Sequence, residues 1–167
     1  MQVDVREFRP TDELDVATIG SKVWSSEQYW RDMTPGEEYS DIDGKLDRDS
    51  IFLVAEIEGS VVGYALAFDV DERKHPYPSD EQFRKQVTED TLYLDELGVS
   101  PEAQHNRAGT ALLEEVIERA SRRYDKLLLR TNPKAKKAMG LYLKHGFQDL
   151  DVKDPEHPER TYLIRGL

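Results

Sequence analysis

A buried strand that runs into a polar loop and then into an amphipathic helix is the feature that most constrains the fold of this chain. Residues 91–99 have the composition of a strand, and Ser100-Pro101-Glu102 ends it. Downstream, six side chains recur at helical spacing on one face: Leu112, Leu113, Val116, Ile117, Ala120 and Tyr124. The first amides of such a helix have no backbone partners, and the helix dipole adds positive potential there. The pattern therefore predicts an anion site suited to a pyrophosphate.

The rest of the chain supplies further strands and helices. Strands are predicted near residues 3–8, 51–57, 61–70, 126–130, 147–152 and 160–164. Helices are predicted from a cap at Thr11 to about Trp24, over residues 80–87, and over residues 135–145, where Gly146 ends the helix. Strands dominate the first half and strand–helix alternation the second, which predicts an α/β or α+β fold with a single sheet. A length of 167 residues predicts one domain, residues 1–167.

Composition narrows the functional classes. The absence of cysteine excludes disulfides, thiolate metal sites and a cysteine nucleophile, and it suits a cytoplasmic protein. The four histidines form no metal-binding spacing, so we expect no metal. A net charge of −11 opposes binding to nucleic acid or to an anionic membrane and favours cationic partners. No apolar run approaches the length of a transmembrane helix, and the first ten residues lack the apolar centre of a signal peptide.

Two blocks of sequence resemble the GNAT superfamily of N-acetyltransferases. The coenzyme motif of that family is a strand ending in Val-x-Pro-Glu, then Gln or Arg-x-x-Gly-x-Gly or Ala, then a helix with Leu-Leu. Seven residues match it here: Val99, Pro101, Glu102, Gln104, Gly109, Leu112 and Leu113. A second family block follows at the right distance: Ala138-x-x-Leu141-Tyr142-x-x-x-Gly146-Phe147. The resemblance implies a single mixed, mostly antiparallel central sheet flanked by helices.

The resemblance also implies acetyl-CoA (coenzyme A) as co-substrate. The implied coenzyme-binding residues are Leu97, Gly98, Val99, Gln104, His105, Asn106, Arg107, Ala108, Gly109, Thr110, Ala111 and Asn132. Arg107 replaces the first glycine of the loop motif, so its side chain either points away from the phosphates or pairs with them. Ala135 replaces a frequent family asparagine, for which Asn132 is a nearby substitute. The positive side chains near both blocks either attract the anionic coenzyme or are ordinary solvated charges: His105, Arg107, Lys134, Lys136 and Lys137.

The implied reaction is direct attack of an amine on the acyl thioester in a ternary complex. Tyr142 occupies the position of the family tyrosine that acts as general acid toward the thiolate; otherwise it is a core aromatic. Glu96 is the expected base, with Asp95 in reserve, because the other frequent position of the base is Arg130 here. Strand alternation places Glu96 on the face opposite Leu97, which is expected in the core. The alternative for Glu96 and Asp95 is a surface carboxylate pair.

Several functional alternatives stay open at this point. The chain is either an N-acetyltransferase or a degenerate GNAT-like module that binds acyl-CoA or regulates without turnover, and transfer to a hydroxyl is a further possibility. The expected acceptor is an amine of a small molecule or a protein, with the net charge favouring a cationic one. Homodimers occur in the family. Four early aromatic residues either fill the core or line the acceptor pocket: Trp24, Tyr29, Trp30 and Tyr39.

Overall fold

Seven strands form one mixed sheet. The computed structural model describes the backbone of residues 2–26, 50–73 and 75–167. The strands are β1 (Val3–Glu7), β2 (Ile51–Ile57), β3 (Ser60–Asp69), β4 (Thr91–Val99), β5 (Lys126–Thr131), β6 (Gln148–Lys153) and β7 (Thr161–Gly166). Their order in the sheet is β1-β2-β3-β4-β5-β7-β6. The predicted fold class, with its single sheet, is confirmed.

The strand registers show which neighbours run parallel. β1 pairs with β2, β2 with β3, β5 with β7 and β6 with β7, and these four pairings are antiparallel. β4 and β5 are parallel, with Thr91–Leu94 beside Lys126–Leu129. Parallel neighbours need a crossover, and the chain supplies it between β4 and β5 as a helix. The sheet is therefore mixed and mostly antiparallel, as the resemblance implied.

The α-helices among the described residues are α1 (Glu13–Ser26), α2 (Glu81–Gln86), α3 (Ala108–Ala120) and α4 (Lys136–Lys144). The ends of two of them are defined by local contacts or backbone geometry, and the one at Gly146 was predicted. The Asp80 carboxylate accepts a 3.0 Å hydrogen bond from the Phe83 amide at the start of α2. Gly146 follows α4 with a φ of 87°, a conformation that glycine adopts without steric cost. None of the helices in the described ranges has both the length and the apolar character needed to cross a membrane.

The chain divides into two compact units, and the first comprises Met1–Ala67 and Glu96–Val116. Its core comes from both faces of the β2–β3 hairpin and from one face of α3. Leu53, Val54, Ala65 and Leu66 are fully buried in the hairpin, as are Leu112, Leu113 and Val116 in α3. Near-continuous apolar runs such as those of β2 and β3 are typical of strands that are buried on both faces.

The cap predicted at Thr11 is wrong, because Thr11 lies inside a short 3-10 helix whose N-cap residue is Arg9. Thr11 is exposed, whereas Asp12 is 5% exposed and closes the short 3-10 helix Pro10–Asp12 that precedes α1. The Asp12 carboxylate accepts 2.8 Å bonds from the Arg9 amide and from Arg6 Nη1, and a 2.9 Å bond from Arg6 Nη2. The Arg6 guanidinium thus donates two charge-assisted hydrogen bonds to the Asp12 carboxylate, and such bonds are stronger than those of a neutral hydroxyl.

The second unit comprises Phe68–Asp95 and Ile117–Leu167, and it contains a buried ionic cluster. The side chain of Asp154 is fully buried, and its Oδ2 lies 3.0 Å from both Arg73 Nη2 and Arg130 Nη1. Tyr162 donates its hydroxyl to the same oxygen and accepts a 2.6 Å hydrogen bond from Arg73 Nη1. The guanidinium of Arg73 also lies 4.3 Å from the ring centroid of Tyr77. Both arginines thus share the one negative charge of Asp154 within an aromatic surrounding.

Candidate active site

The loop between β4 and α3 contains a 3-10 helix that the sequence pattern did not reveal. β4 ends at Val99, and Pro101–Asn106 forms the 3-10 helix. Ala103, which is 6% exposed, donates its amide to the Ser100 carbonyl at 2.8 Å. The signal for it was Pro101, because proline suits the first position of a helix.

Arg107 occupies a left-handed backbone conformation between the 3-10 helix and α3. Its φ is 63° and its ψ is 21°, and its side chain is exposed. Residues with a Cβ pay a steric cost there that glycine does not pay. This conformation gives a physical reason why a glycine suits the position, and it shows that arginine is accommodated without loss of the turn.

Four of the sequence-predicted coenzyme residues line one groove of about 260 Å³ in the first unit. The lining residues are Val3, Asn106, Arg107, Thr110, Ala111 and Glu114. Within the residues that the structure describes, the amides of Ala108, Gly109 and Thr110 donate no hydrogen bond, and the first amide of α3 that does so is that of Ala111, 3.0 Å from the Arg107 carbonyl. The beginning of α3 therefore presents unsatisfied donors beside the groove, as the helix-start pattern predicted.

The other predicted coenzyme residues of this segment differ in exposure. Gln104 and His105 are exposed, and Gln104 Nε2 lies 3.4 Å from the Val99 carbonyl. Gly98 is buried and Ala108 fully so, whereas Leu97, Val99, Gly109, Thr110 and Ala111 are half-buried. The small buried residues let the backbone pack closely, and the exposed ones are available to a ligand.

Glu96 is buried in the first unit and accepts a hydrogen bond from Tyr64. Only 5% of Glu96 is exposed, and its Oε1 lies 2.8 Å from the Tyr64 hydroxyl. The alternation of β4 places Glu96 opposite Leu97, as predicted, but the expectation that Leu97 fills the core is wrong, because Leu97 is half-buried. The alternative that Glu96 is a surface carboxylate is also wrong, because Glu96 itself is buried. Sequence reasoning missed Tyr64, although a phenol inside a buried strand needs a hydrogen-bond acceptor.

The reserve base and the other candidate position lie in the second unit. Asp95 is half-buried, and its charge contributes to raising the pKa of Tyr93, for which burial is the main cause. Arg130, which stands where the family also places a base, forms its ion pair with Asp154. Arg130 thus belongs to the buried ionic cluster.

Tyr142 lies on α4 and is 8% exposed. Its ring packs edge-to-face against Phe147, with centroids 5.7 Å apart. Burial raises the pKa of Tyr142 above its ordinary value, and the nearby Tyr93 adds to the effect. Among the described residues, no side chain or backbone group forms a hydrogen bond with the Tyr142 hydroxyl. The ring therefore behaves as a core aromatic, while the hydroxyl keeps its proton at neutral pH.

Asn132 is engaged in the turn that leads to α4. It is 2% exposed, its Oδ1 accepts a 3.0 Å bond from the Lys134 amide, and its carbonyl accepts a 2.9 Å bond from the Ala135 amide. Such a side-chain-to-backbone bond is a typical turn motif of asparagine. The observed geometry is thus structural, and the predicted coenzyme contact of Asn132 stays a prediction.

Other predictions fall partly outside the described residues. Tyr29, Trp30 and Tyr39 lie outside the residues that the structure describes, whereas the backbone of Trp24 is part of α1. Their role in an acceptor pocket stays a prediction. In residues 2–26, 50–73 and 75–167, no group of three or more histidine, aspartate or glutamate side chains is arranged to hold a metal ion.

A family comparison agrees with the two sequence blocks and with the fold. The model of the acetyltransferase (GNAT) family matches residues 14–147. Because this match covers most of the chain, the protein belongs to the GNAT family of acetyltransferases. A search of curated protein sequences gave no match.

Solved structures resemble this fold over its full length. PaiA N-acetyltransferase from Thermoplasma acidophilum, in complex with coenzyme A, has 15% identity and a TM-score of 0.75, covering 100% of both chains. YncA from Salmonella typhimurium, with its cofactor acetyl-CoA, has 19% identity and a TM-score of 0.74, covering 100% of this chain and 95% of the other. The ribosomal-protein-S18-alanine N-acetyltransferase from Escherichia coli has 15% identity and a TM-score of 0.68, covering 99% and 94%. At these identities the likeness shows the fold alone.

Proposed function

We propose that this protein transfers an acetyl group from acetyl-CoA to a primary amine. The observation that carries the proposal is the set of unsatisfied amides at Ala108, Gly109 and Thr110, at the start of α3 and beside a groove. Such amides, together with the helix dipole, suit the pyrophosphate of coenzyme A. Membership of the GNAT family supplies the reaction class.

The charge of the protein sets a requirement for the coenzyme site. The chain carries a net charge of −11, and coenzyme A is itself anionic, so local positive potential is needed. Arg107, which is exposed, and Thr110, whose hydroxyl is a further donor, both line the groove. We assign Arg107 to the coenzyme phosphates on this basis.

The proposed chemistry divides between a base, a polarising amide and an acid. Glu96 takes a proton from the acceptor ammonium, because an ammonium has no lone pair with which to attack. The amide of Val99, or one beside it, polarises the thioester carbonyl. The amine nitrogen forms a bond to the carbonyl carbon, the carbon–sulfur bond breaks, and Tyr142 donates a proton to the departing sulfur. The attacking nitrogen loses its second proton to water, which returns a proton to the Tyr142 phenolate, so that the product is a neutral amide and Tyr142 is restored.

The acceptor is proposed as a class. The negative net charge favours a cationic amine, either a small molecule or a protein amine. One protein of similar fold is named for acetylating an alanine of ribosomal protein S18. An acceptor screen should therefore include polyamines, amino acids, lysine peptides and peptides with a free N-terminus, with acetyl-CoA as donor and thiol release as the signal.

Acetyl-CoA should stabilise the folded protein. At 100 times its dissociation constant, a ligand that binds only the native state adds about 2.7 kcal/mol to the free energy of unfolding. The measurement is thermal or chemical denaturation with and without acetyl-CoA. Adenosine 3′,5′-bisphosphate, which lacks the pantetheine arm, serves as a comparison ligand. An unmoved unfolding transition at saturating acetyl-CoA would contradict the proposal.

Arg107→Gly and Arg107→Ala should separate the charge of Arg107 from its backbone strain. Both remove the cation, so both should weaken coenzyme binding by about tenfold and reduce its salt dependence. Only the glycine variant relieves the left-handed conformation, so it should be about 1 kcal/mol more stable than the alanine variant. Calorimetric titration and denaturation of the free protein measure the two effects. Tighter binding in the glycine variant would mean that the Arg107 side chain obstructs the phosphates.

One observation favours a second function. A residue other than glycine at the left-handed position distinguishes this loop from the family pattern and favours a module that binds acyl-CoA without turnover. The stabilisation experiment does not distinguish the two functions, whereas the acceptor screen does. Saturable acetyl-CoA binding with no acetyl transfer across the whole panel would support the second function.

A further inference from the structure

A buried tyrosine holds the carboxylate that we propose as the base. The Tyr64 hydroxyl on β3 lies 2.8 Å from Oε1 of Glu96 on β4. Tyr64 is fully buried and Glu96 is 5% exposed. A carboxylate in such a place is costly unless hydrogen bonds compensate the loss of water, and a phenol donor supplies one.

The Tyr64 ring has little freedom to move. It lies edge-on to Phe52, with centroids 6.4 Å apart. On another side it lies against the backbone of Gly98, where an added Cβ would come 3.1 Å from Tyr64 Cε1 and 3.6 Å from Cζ, the carbon that bears the hydroxyl. The same Cβ would lie 3.6 Å from Val23 on α1. The absence of a side chain at Gly98 therefore leaves room for the ring.

Two of the groups that lie against this ring carry no charge. Phe52 carries no charge, and Gly98 has no side chain. Because Tyr64 is fully buried and Glu96 is 5% exposed, the local dielectric constant is low, and the hydrogen bond to the carboxylate is stronger than in water. The phenol therefore influences both the orientation of the Glu96 carboxylate and the pH range in which it is ionised.

We propose that Tyr64 is the positioning residue of the catalytic base, holding the Glu96 carboxylate in one orientation and in its proton-accepting form. This inference rests on the proposed function, in which Glu96 takes the amine proton. It adds Tyr64 as a residue that acts through Glu96 without touching the substrate. It also gives Gly98 a second role, which is to leave space for the phenol.

The test compares Tyr64→Phe with a matched loss of another buried hydroxyl. Tyr77→Phe is the control, because the Tyr77 hydroxyl donates to the Val70 carbonyl at 2.9 Å and has no role in the proposed chemistry. The titration of Glu96 is followed by ¹³C NMR of glutamate labelled at the side-chain carboxyl, and the resonance is identified by its loss in Glu96→Gln. The pH dependence of kcat/KM is measured on the same proteins with an acceptor from the screen.

Tyr64→Phe should move the midpoint of the Glu96 titration upward by about one to two pH units, since a hydrogen bond to a charged group is lost. The acid limb of the kcat/KM profile should move upward with it. At a given pH on that limb, kcat/KM should fall about tenfold for each pH unit of the shift, while coenzyme affinity is retained. Tyr77→Phe should leave both the titration and the limb in place. Should Tyr64→Phe not fold, Gly98→Ala provides the same titration test, because its Cβ crowds the phenol.

The outcomes separate this inference from the proposed function. An unmoved Glu96 titration in Tyr64→Phe, or in Gly98→Ala where that variant is used, overturns the inference whatever the activity. An equal shift in Tyr77→Phe overturns it also, because the effect would then be a general consequence of losing a buried hydroxyl. If Glu96→Gln keeps full turnover while Tyr64→Phe still shifts the Glu96 titration, Glu96 is not the base of the proposed function. The coupling between Tyr64 and Glu96 is then still supported.

Discussion

Asp154→Asn should lower the free energy of unfolding by about 3–5 kcal/mol, because it removes one partner of a buried ionic cluster. The Arg73 side chain is 3% exposed and the Arg130 side chain 15%, so neither guanidinium can be fully hydrated when the aspartate charge is lost. Asparagine has an NH2 group in place of one carboxylate oxygen, and this group donates hydrogen bonds but does not accept them. If it stands at the position of Oδ2, it cannot accept from the two arginines or from Tyr162. Urea denaturation at pH 7 measures the loss.

A surface ion pair in the same unit provides the control. Glu118 lies 3.2 Å from Arg122 one helical turn away, and both side chains are more than 60% exposed. Glu118→Gln should cost at most about 0.5 kcal/mol, since exposed pairs of this kind contribute little. A loss of less than 1 kcal/mol in Asp154→Asn would show that the cluster is not a major source of stability.

The stability that Asp154 contributes should depend on pH in the acid range. Burial alone would raise the pKa of Asp154, but the Tyr162 hydrogen bond and the charges of Arg130 and Arg73 hold it well below its ordinary value. A carboxyl whose pKa is lowered on folding stabilises the protein above its unfolded pKa of about 3.9 and loses that contribution as the pH falls through the folded value. The difference between wild type and Asp154→Asn should therefore be constant from pH 5 to pH 8 and shrink below about pH 4.

Local sequence predicted the elements whose signals are local. β4 runs from Thr91 to Val99 as predicted, because a segment of mainly apolar residues is followed by Ser100-Pro101, which ends strands. The helix that Gly146 terminates was found in the same way, since the glycine takes the left-handed conformation that a helix end needs. Patterns of this kind are complete within a few residues.

Features that depend on distant partners were not accessible from the sequence. Alternation along β4 showed that Glu96 and Leu97 face opposite ways, but it carries no information on which face is the more deeply buried. The partner of Glu96 is Tyr64, 32 residues earlier in the chain. Arg73 and Asp154 are 81 residues apart, so the local sequence around either residue does not predict their ion pair.

Backbone conformation at the coenzyme loop was also beyond sequence reasoning. The resemblance to the family motif identified Arg107 as a departure, but the positive φ at this residue became visible only in the structure. The 3-10 helix Pro101–Asn106 leads directly into the turn at Arg107, and α3 begins at the next residue, Ala108. The position of the unsatisfied amides thus follows from a loop geometry that no residue periodicity encodes.

Tyr142→Phe and Glu96→Gln should both reduce turnover strongly, with different dependence on pH. Positioned acids and bases each contribute typically about 10²–10⁴-fold. We expect about 10²-fold or less for Tyr142, since a thiolate is a weak base, and a larger loss at low pH for Glu96. Tyr142→Phe keeps the ring that packs on Phe147 and removes only the hydroxyl, so folding and coenzyme affinity should change little. Turnover is measured from pH 6 to pH 9 under saturating acetyl-CoA.

The shape of each profile follows from the state of the two groups. Burial raises the pKa of Tyr142, so its hydroxyl stays protonated across this range and its removal should lower the rate by a similar factor at every pH. Glu96→Gln removes the group that deprotonates the acceptor ammonium, so its deficit should be largest at pH 6 and partly recovered at pH 9, where more of the amine is already neutral. A deficit in Glu96→Gln that is the same at pH 6 and pH 9 would remove the base role from Glu96. Full turnover in both variants would assign the proton transfers to water or to other residues, while the GNAT fold and the coenzyme groove would be unaffected.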